Sequence, residues 1–198
     1  SCDNLYVTEK LSVDGTLTNH NLISVTDNTG VTGANKITHA RQWSRISCLY
    51  SIESFSELKK AIAAAADTQD EHWEYLLTIG QKEMTVSESL SVPENCELYL
   101  QSQVTVAKNC ILDLGCRSWL HSRMTAEGTL INRGELNVLQ SEGGCLNLEK
   151  SGRYLSEGTI ACHSASDASL SEMLPGFDLS AFETKTHNTP LFCRVLQD

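Results

Sequence analysis

A chain of 198 residues in which 40% of the side chains are apolar has room for one large domain or two small ones, and its composition suits an ordinary globular core. A formal charge of −10, with no cationic run longer than Lys59-Lys60, argues against a nucleic-acid partner or an anionic membrane surface, because both require a basic face. No apolar stretch approaches the roughly twenty residues of a membrane span, and no charged-then-apolar leader is present; the opening Ser1 suggests a processed or truncated piece.

In chain order, residues 1–50 form an N-terminal β segment and connector. Leu5/Val7, Leu11/Val13 and Ile23/Val25 alternate as strand residues do, with turn chemistry at Asp14-Gly15 and Asp27-Asn28-Thr29-Gly30. From 33 to 45 the alternation dissolves into polar residues, as a connector would. Residues 51–165 hold the main body, which begins with a helix predicted over 54–66. Ser54 followed by Glu57 makes a capping box, and Phe55, Leu58, Ile62 and Ala65 fall on one face. A lone amphipathic helix ahead of a repeated sheet fits the task of a cap, because an open repeat end exposes core and unpaired strand edges.

Behind the helix, apolar pairs with one polar residue between them recur: Leu90/Val92, Leu98/Leu100, Val104/Val106, Leu112/Leu114, Leu136/Val138 and Leu146/Leu148. Each pair points both apolar side chains to one face of a short strand. Leu90 to Leu112, Leu98 to Leu120, Leu114 to Leu136, Met124 to Leu146 and Val138 to Ile160 recur at about twenty-two positions, the range of coiled repeats. After His163 this rhythm stops. Residues 166–198 read as a C-terminal cap or a linker, with Phe177, Leu179, Phe182, Leu191, Phe192 and Val195 supplying apolar surface to pack back on the repeats.

Eight cysteines are scattered without a Cys-x-x-Cys pair, so zinc or dithiol chemistry has no signature. Cys145 and Cys162 occupy slots that apolar residues fill elsewhere, as buried structural thiols would; the even count leaves a disulfide framework open. The six histidines form no His-x-x-x-His pattern, and neither a Gly-x-Ser-x-Gly phrase nor a nucleotide-binding glycine loop occurs.

The run 54–62 (Ser-Phe-Ser-Glu-Leu-Lys-Lys-Ala-Ile), then Leu76-Leu77-Thr78-Ile79, then 90–100 with its Val92-Pro93 turn, resembles the start of a right-handed parallel β-helix of the pectate-lyase-like superfamily. It is most similar to solenoid segments of large bacterial cell-surface, adhesin-like proteins. The resemblance, which spans 52–162, implies an all-β fold, a β-solenoid with one capping α-helix. It also implies a secreted or surface-exposed bacterial setting, outside the cell. Members of this architecture include lyases, glycoside hydrolases, tailspikes and adhesins, so the fold does not choose a function. The reading favoured here is a non-catalytic module, a structural spacer or a surface that binds carbohydrate or a surface protein. The alternative is a polysaccharide-active enzyme or a fragment of one.

Enzymes of the superfamily set acidic side chains, often with calcium and a basic residue, on successive outer rungs. Asp113, Glu135 and Glu157 share the repeat spacing and are the candidates for a calcium site, although a row of solvated carboxylates is the ordinary explanation and no cofactor is required. Three or four turns are also few for a long substrate groove. Strand parity supplies a different candidate. With Leu98, Leu100 and Leu120 facing inward, Tyr99, Trp119 and His121 stand together on the outer face, an aromatic patch suited to a sugar ring. The competing expectation is that Trp119 is covered and merely packs.

Overall fold

The computed structural model describes residues 2–26, 31–68, 70–80, 82–163, 170–185 and 191–195. The turn at 27–30, the polar run at 164–169, and the side chains of Cys2, Cys193, Phe182, Leu191, Phe192 and Val195 lie outside what is described.

Short strands and short turns wind the chain into a parallel β-helix with three long sheets and a small fourth, β2 paired with β4. The N-terminal part runs β1 (Cys2–Val7), β2 (Leu11–Ser12), β3 (Leu17–Val25), β4 (Val31–Thr32), β5 (Ile37–His39) and β6 (Arg45–Ile52). Helix α1 (Phe55–Ala66) follows, then β7 (Trp73–Ile79), β8 (Met84–Val86) and β9 (Leu90–Val92). The next two coils are β10 (Cys96–Leu100), β11 (Val104–Val106), β12 (Ile111–Leu114), and β13 (Arg117–Leu120), β14 (Arg123–Ala126), β15 (Thr129–Asn132). The last are β16 (Glu135–Leu139), β17 (Cys145–Leu148), β18 (Arg153–Ser156) and the opening strand of a further turn, β19 (Thr159–His163).

Strands β7, β10, β13, β16 and β19 stack in the first sheet, β8, β11, β14 and β17 in the second, and β9, β12, β15 and β18 in the third. In most rungs of these coils an apolar pair turns inward and the residue between it turns out, as with Val104, Thr105 and Val106, while Ser118, Asn132 and Ser156 take inward positions on β13, β15 and β18. Stacking places like on like: Leu90 beside Leu112, and Met124 beside Leu146. The other three long-period pairs read from the sequence are not neighbours. Leu98 lies beside Ser118, Leu114 beside Asn132, and Val138 beside Cys162. The coil length is variable: eighteen residues separate the paired Ser118 and Leu136, and twenty-four separate Leu136 and Ile160. Hydrogen bonding fixes the strands, but the turns between them are free to differ in length, so a constant period drifts out of register.

Helix α1 forms where the capping box predicts. Ser54 Oγ accepts from the Glu57 amide at 3.3 Å, while Glu57 Oε2 accepts from the Glu53 amide at 2.8 Å. Leu58, Ala61, Ile62 and Ala65 are buried, and the helix packs against β6, β7, β8 and β9. It takes the place of the second and third strands in the coil that begins at β6, and so covers β8 and β9, the terminal strands of two sheets. The first sheet continues past it through β6 and β3 to β1, all parallel, so the N-terminal strands and the main body share one sheet.

Beyond β19 the chain reverses. A short helix α2 (Leu170–Met173) leads to Met173 and Leu174, both buried, and Phe177 meets Tyr154 edge-on with ring centroids 5.1 Å apart. Strand β21 (Leu191–Val195) extends the first sheet antiparallel to β19, and β20 (Phe182–Lys185) pairs antiparallel with β21. Cys48, Cys96, Cys116 and Cys162 are buried, Cys110 and Cys145 half-buried, and all six are free thiols. Burial pushes the Cys48 and Cys116 thiols up to about 11 and the Cys96 thiol up to about 12, so they pack as small neutral side chains.

Candidate functional site

The outer face of the first sheet follows from strand alternation. On β10, Cys96, Leu98 and Leu100 are buried, which turns Glu97 and Tyr99 outward; on β13, buried Ser118 and Leu120 turn Arg117 and Trp119 outward. Parallel pairing then sets Tyr99 beside Trp119, and Trp119 beside Asn137 on β16. Tyr99 and Trp119 lie nearly parallel, 7° between planes and 6.3 Å between centroids. His121, at the end of the same rung, is 6.1 Å from Tyr99, and His163 is 6.1 Å from Trp119. The three residues picked out by parity therefore form one half-buried cluster, with His163 as a fourth ring.

Polar groups hold these rings in place. Trp119 Nε1 donates to Glu97 Oε1 at 2.7 Å, His121 Nδ1 donates to Glu142 Oε2 at 2.7 Å, and His163 Nε2 donates to Asn137 Oδ1 at 2.9 Å. Two buried atoms at the floor of the cluster lack a partner, His121 Nε2 and Asn137 Nδ2. Burial, then the neighbouring Glu97 carboxylate, pushes the Tyr99 phenol up to about 12, so it remains a neutral hydroxyl.

His163 is held below the ordinary imidazole range by burial, against a weaker opposing pull from Glu135. His39, far along the same sheet, is also lowered, first by burial and then by His72. A histidine whose folded pKa lies below its unfolded value contributes stability that is complete above the unfolded pKa and is lost as pH falls through the folded one. The melting temperature is therefore expected to drop between about pH 7.5 and pH 5.5, and His163→Gln to reduce that drop. Thermal melts across this window check it, and a flat wild-type profile contradicts it.

The acidic candidates do not stack. Asp113, on β12, lies beside Ser91 and Ile131, whereas Glu135, on β16, lies beside Thr159 in a different sheet. Each has a basic partner: Arg133 Nε reaches both Asp113 oxygens at 3.1 Å and its Nη1 pairs with Glu157, while Arg117 Nε lies 3.4 Å from Glu135. The equal spacing of twenty-two was a coincidence of the variable coil length. Among the described residues no three His, Cys, Asp or Glu side chains converge as a metal would require.

Glu97 was accessible to parity reasoning, since it sits two residues from Tyr99. Glu142 and His163 were not, because their place depends on the long turn after β16 and on the register of the fifth rung. Comparison with protein-family models, with curated proteins and with solved structures returns no match.

Proposed function

We propose that this chain is a non-catalytic β-solenoid module that binds a glycan through the outer face of its first sheet, with Tyr99, Trp119 and His121 as contact residues. The single observation that carries the reading is the half-exposed cluster of four neighbouring rings, Tyr99 and Trp119 near-parallel and the two histidines tilted, edged by Glu97 and Glu142. Such rings offer apolar surface while the Tyr99 hydroxyl and the Glu97 and Glu142 carboxylates at their edges offer hydrogen bonds, the mixed chemistry of a sugar. A secreted or cell-surface bacterial protein related to the pectate-lyase-like β-helices is the setting in which we place it, on the three-sheet coil and the residue phrases that resemble that superfamily. The enzyme alternative is weaker, because its carboxylates Asp113 and Glu135 lie in different sheets instead of on successive rungs of one.

A glycan-array screen of the purified chain identifies the ligand. Trp119→Ala is then expected to weaken that binding by at least about tenfold, the scale of an aromatic anchor. Trp119→Phe, which keeps the packing and loses the Glu97 bond, should fall between. Undiminished binding in Trp119→Ala overturns the site. Turnover of polygalacturonate by the wild-type chain, abolished in Glu135→Gln, overturns the non-catalytic reading.

A further inference from the structure

The turns leading into β6, β7 and β10 line a cleft of about 330 Å³, at the edge of the first sheet where α1 ends. Its walls include Trp43 and Trp73, Ser44 and Asn95 are among its polar groups, and the Arg45 guanidinium lies there with the carboxylates of Glu71, Glu74 and Glu94. Ser44 is 1% exposed, yet its Oγ has no hydrogen-bond partner. Asn95 spends its amide nitrogen on the Ala65 carbonyl of the last helical turn at 3.0 Å, which fixes the side chain and leaves Oδ1, also buried and without a partner, as a pure acceptor. Two unsatisfied polar atoms in one small cleft are costly unless a ligand completes them.

The charge of the cleft decides which ligand. Glu74 is already paired with Arg45 at 3.5 Å, so Glu71 and Glu94, both exposed, remain as negative charges with no ion pair among the described residues. The last turn of α1 carries no basic side chain to offset the negative end of its dipole. Trp43, 60% exposed, already holds a cation against its ring, with the Arg41 guanidinium 5.5 Å from the centroid. Acceptors in the floor, carboxylates on the rim and an aromatic wall call for a ligand that is cationic and rich in donors.

We infer that this cleft is a binding site for a primary ammonium or guanidinium group, seated between Trp43 and Trp73 and donating to Asn95 Oδ1 and Ser44 Oγ. The site is separate from the Tyr99–Trp119 cluster and does not rest on it. One chemistry has two sources here, a lysine or arginine side chain of a peptide and a free polyamine.

Calorimetric titration of the full chain at about pH 7.5, above the ordinary imidazole range, with a capped lysine, a short lysine- and arginine-containing peptide, spermidine and, as a neutral control, methyl glucoside tests this. Saturable binding of at least one cation with Kd below about 1 mM is expected. The peptide binding best assigns the source to a protein segment, and spermidine binding best assigns it to a polyamine. Glu71→Gln/Glu94→Gln should weaken that binding by at least about fivefold, and Ser44→Ala by a smaller factor. Glu83→Gln/Glu149→Gln, which removes the same charge elsewhere, and Trp119→Ala should both leave it unchanged. Equal weakening by the two double variants reduces the effect to overall charge and overturns the site. So does the absence of saturable cation binding, or tighter binding of methyl glucoside.

Discussion

Leu136→Ala is expected to lower the free energy of unfolding by about 2–5 kcal/mol, the range for a fully buried leucine that leaves a cavity. Leu136 is 0% exposed, on β16, between Ser118 of the previous rung and Ile160 of the next. Each of those neighbours is pinned by its own ladder of backbone hydrogen bonds, so the coil cannot collapse into the space as a loosely held helix could. Ser118 is also too small to fill it. Leu155→Ala provides the comparison: Leu155 is 39% exposed on the outer side of β18, and its loss should stay within about half a kcal/mol. Urea unfolding of the three proteins measures the difference, and equal midpoints for Leu136→Ala and wild type would remove Leu136 from the core.

Gly134→Ala is expected to destabilise by about 3 kcal/mol, at the upper end of the cost of overpacking, because the added carbon meets backbone rather than a movable side chain. A Cβ at Gly134 would stand 2.1 Å from the Cys116 carbonyl oxygen and 2.6 Å from its carbon. One coil further on, a Cβ at Gly158 would stand 1.9 Å from the Gly134 oxygen. These turns carry backbone directly on backbone, joined by the Thr159 amide donating to the Gly134 carbonyl at 3.0 Å. Space for the methyl group exists only if β13 and β16 part, which breaks the ladder that holds the first sheet together. Gly80→Ala is the control, since nothing lies within 4 Å of its added carbon. A Gly134→Ala protein that melts with Gly80→Ala would show that the turns are not stacked this closely.

The alternation of apolar and polar residues marked the short strands and their inward faces by itself, because strand parity is a local property: the residues on either side of Thr105 or Asp113 must both face inward. The capping box and apolar face of α1 were local for the same reason. Parity also sufficed to put Tyr99 and Trp119 on one face, since they sit on rungs of nearly equal length. What parity cannot carry is distance along the solenoid axis, which depends on how many residues each turn consumes. That quantity varies from coil to coil, so only the tertiary structure separated Asp113 from Glu135, gave each an arginine, and brought His163 to Trp119. The cation cleft was hidden for a further reason. Trp43, Ser44, Glu71 and Asn95 come from three turns far apart in the chain, and turn residues have no periodicity that would announce which others they will meet.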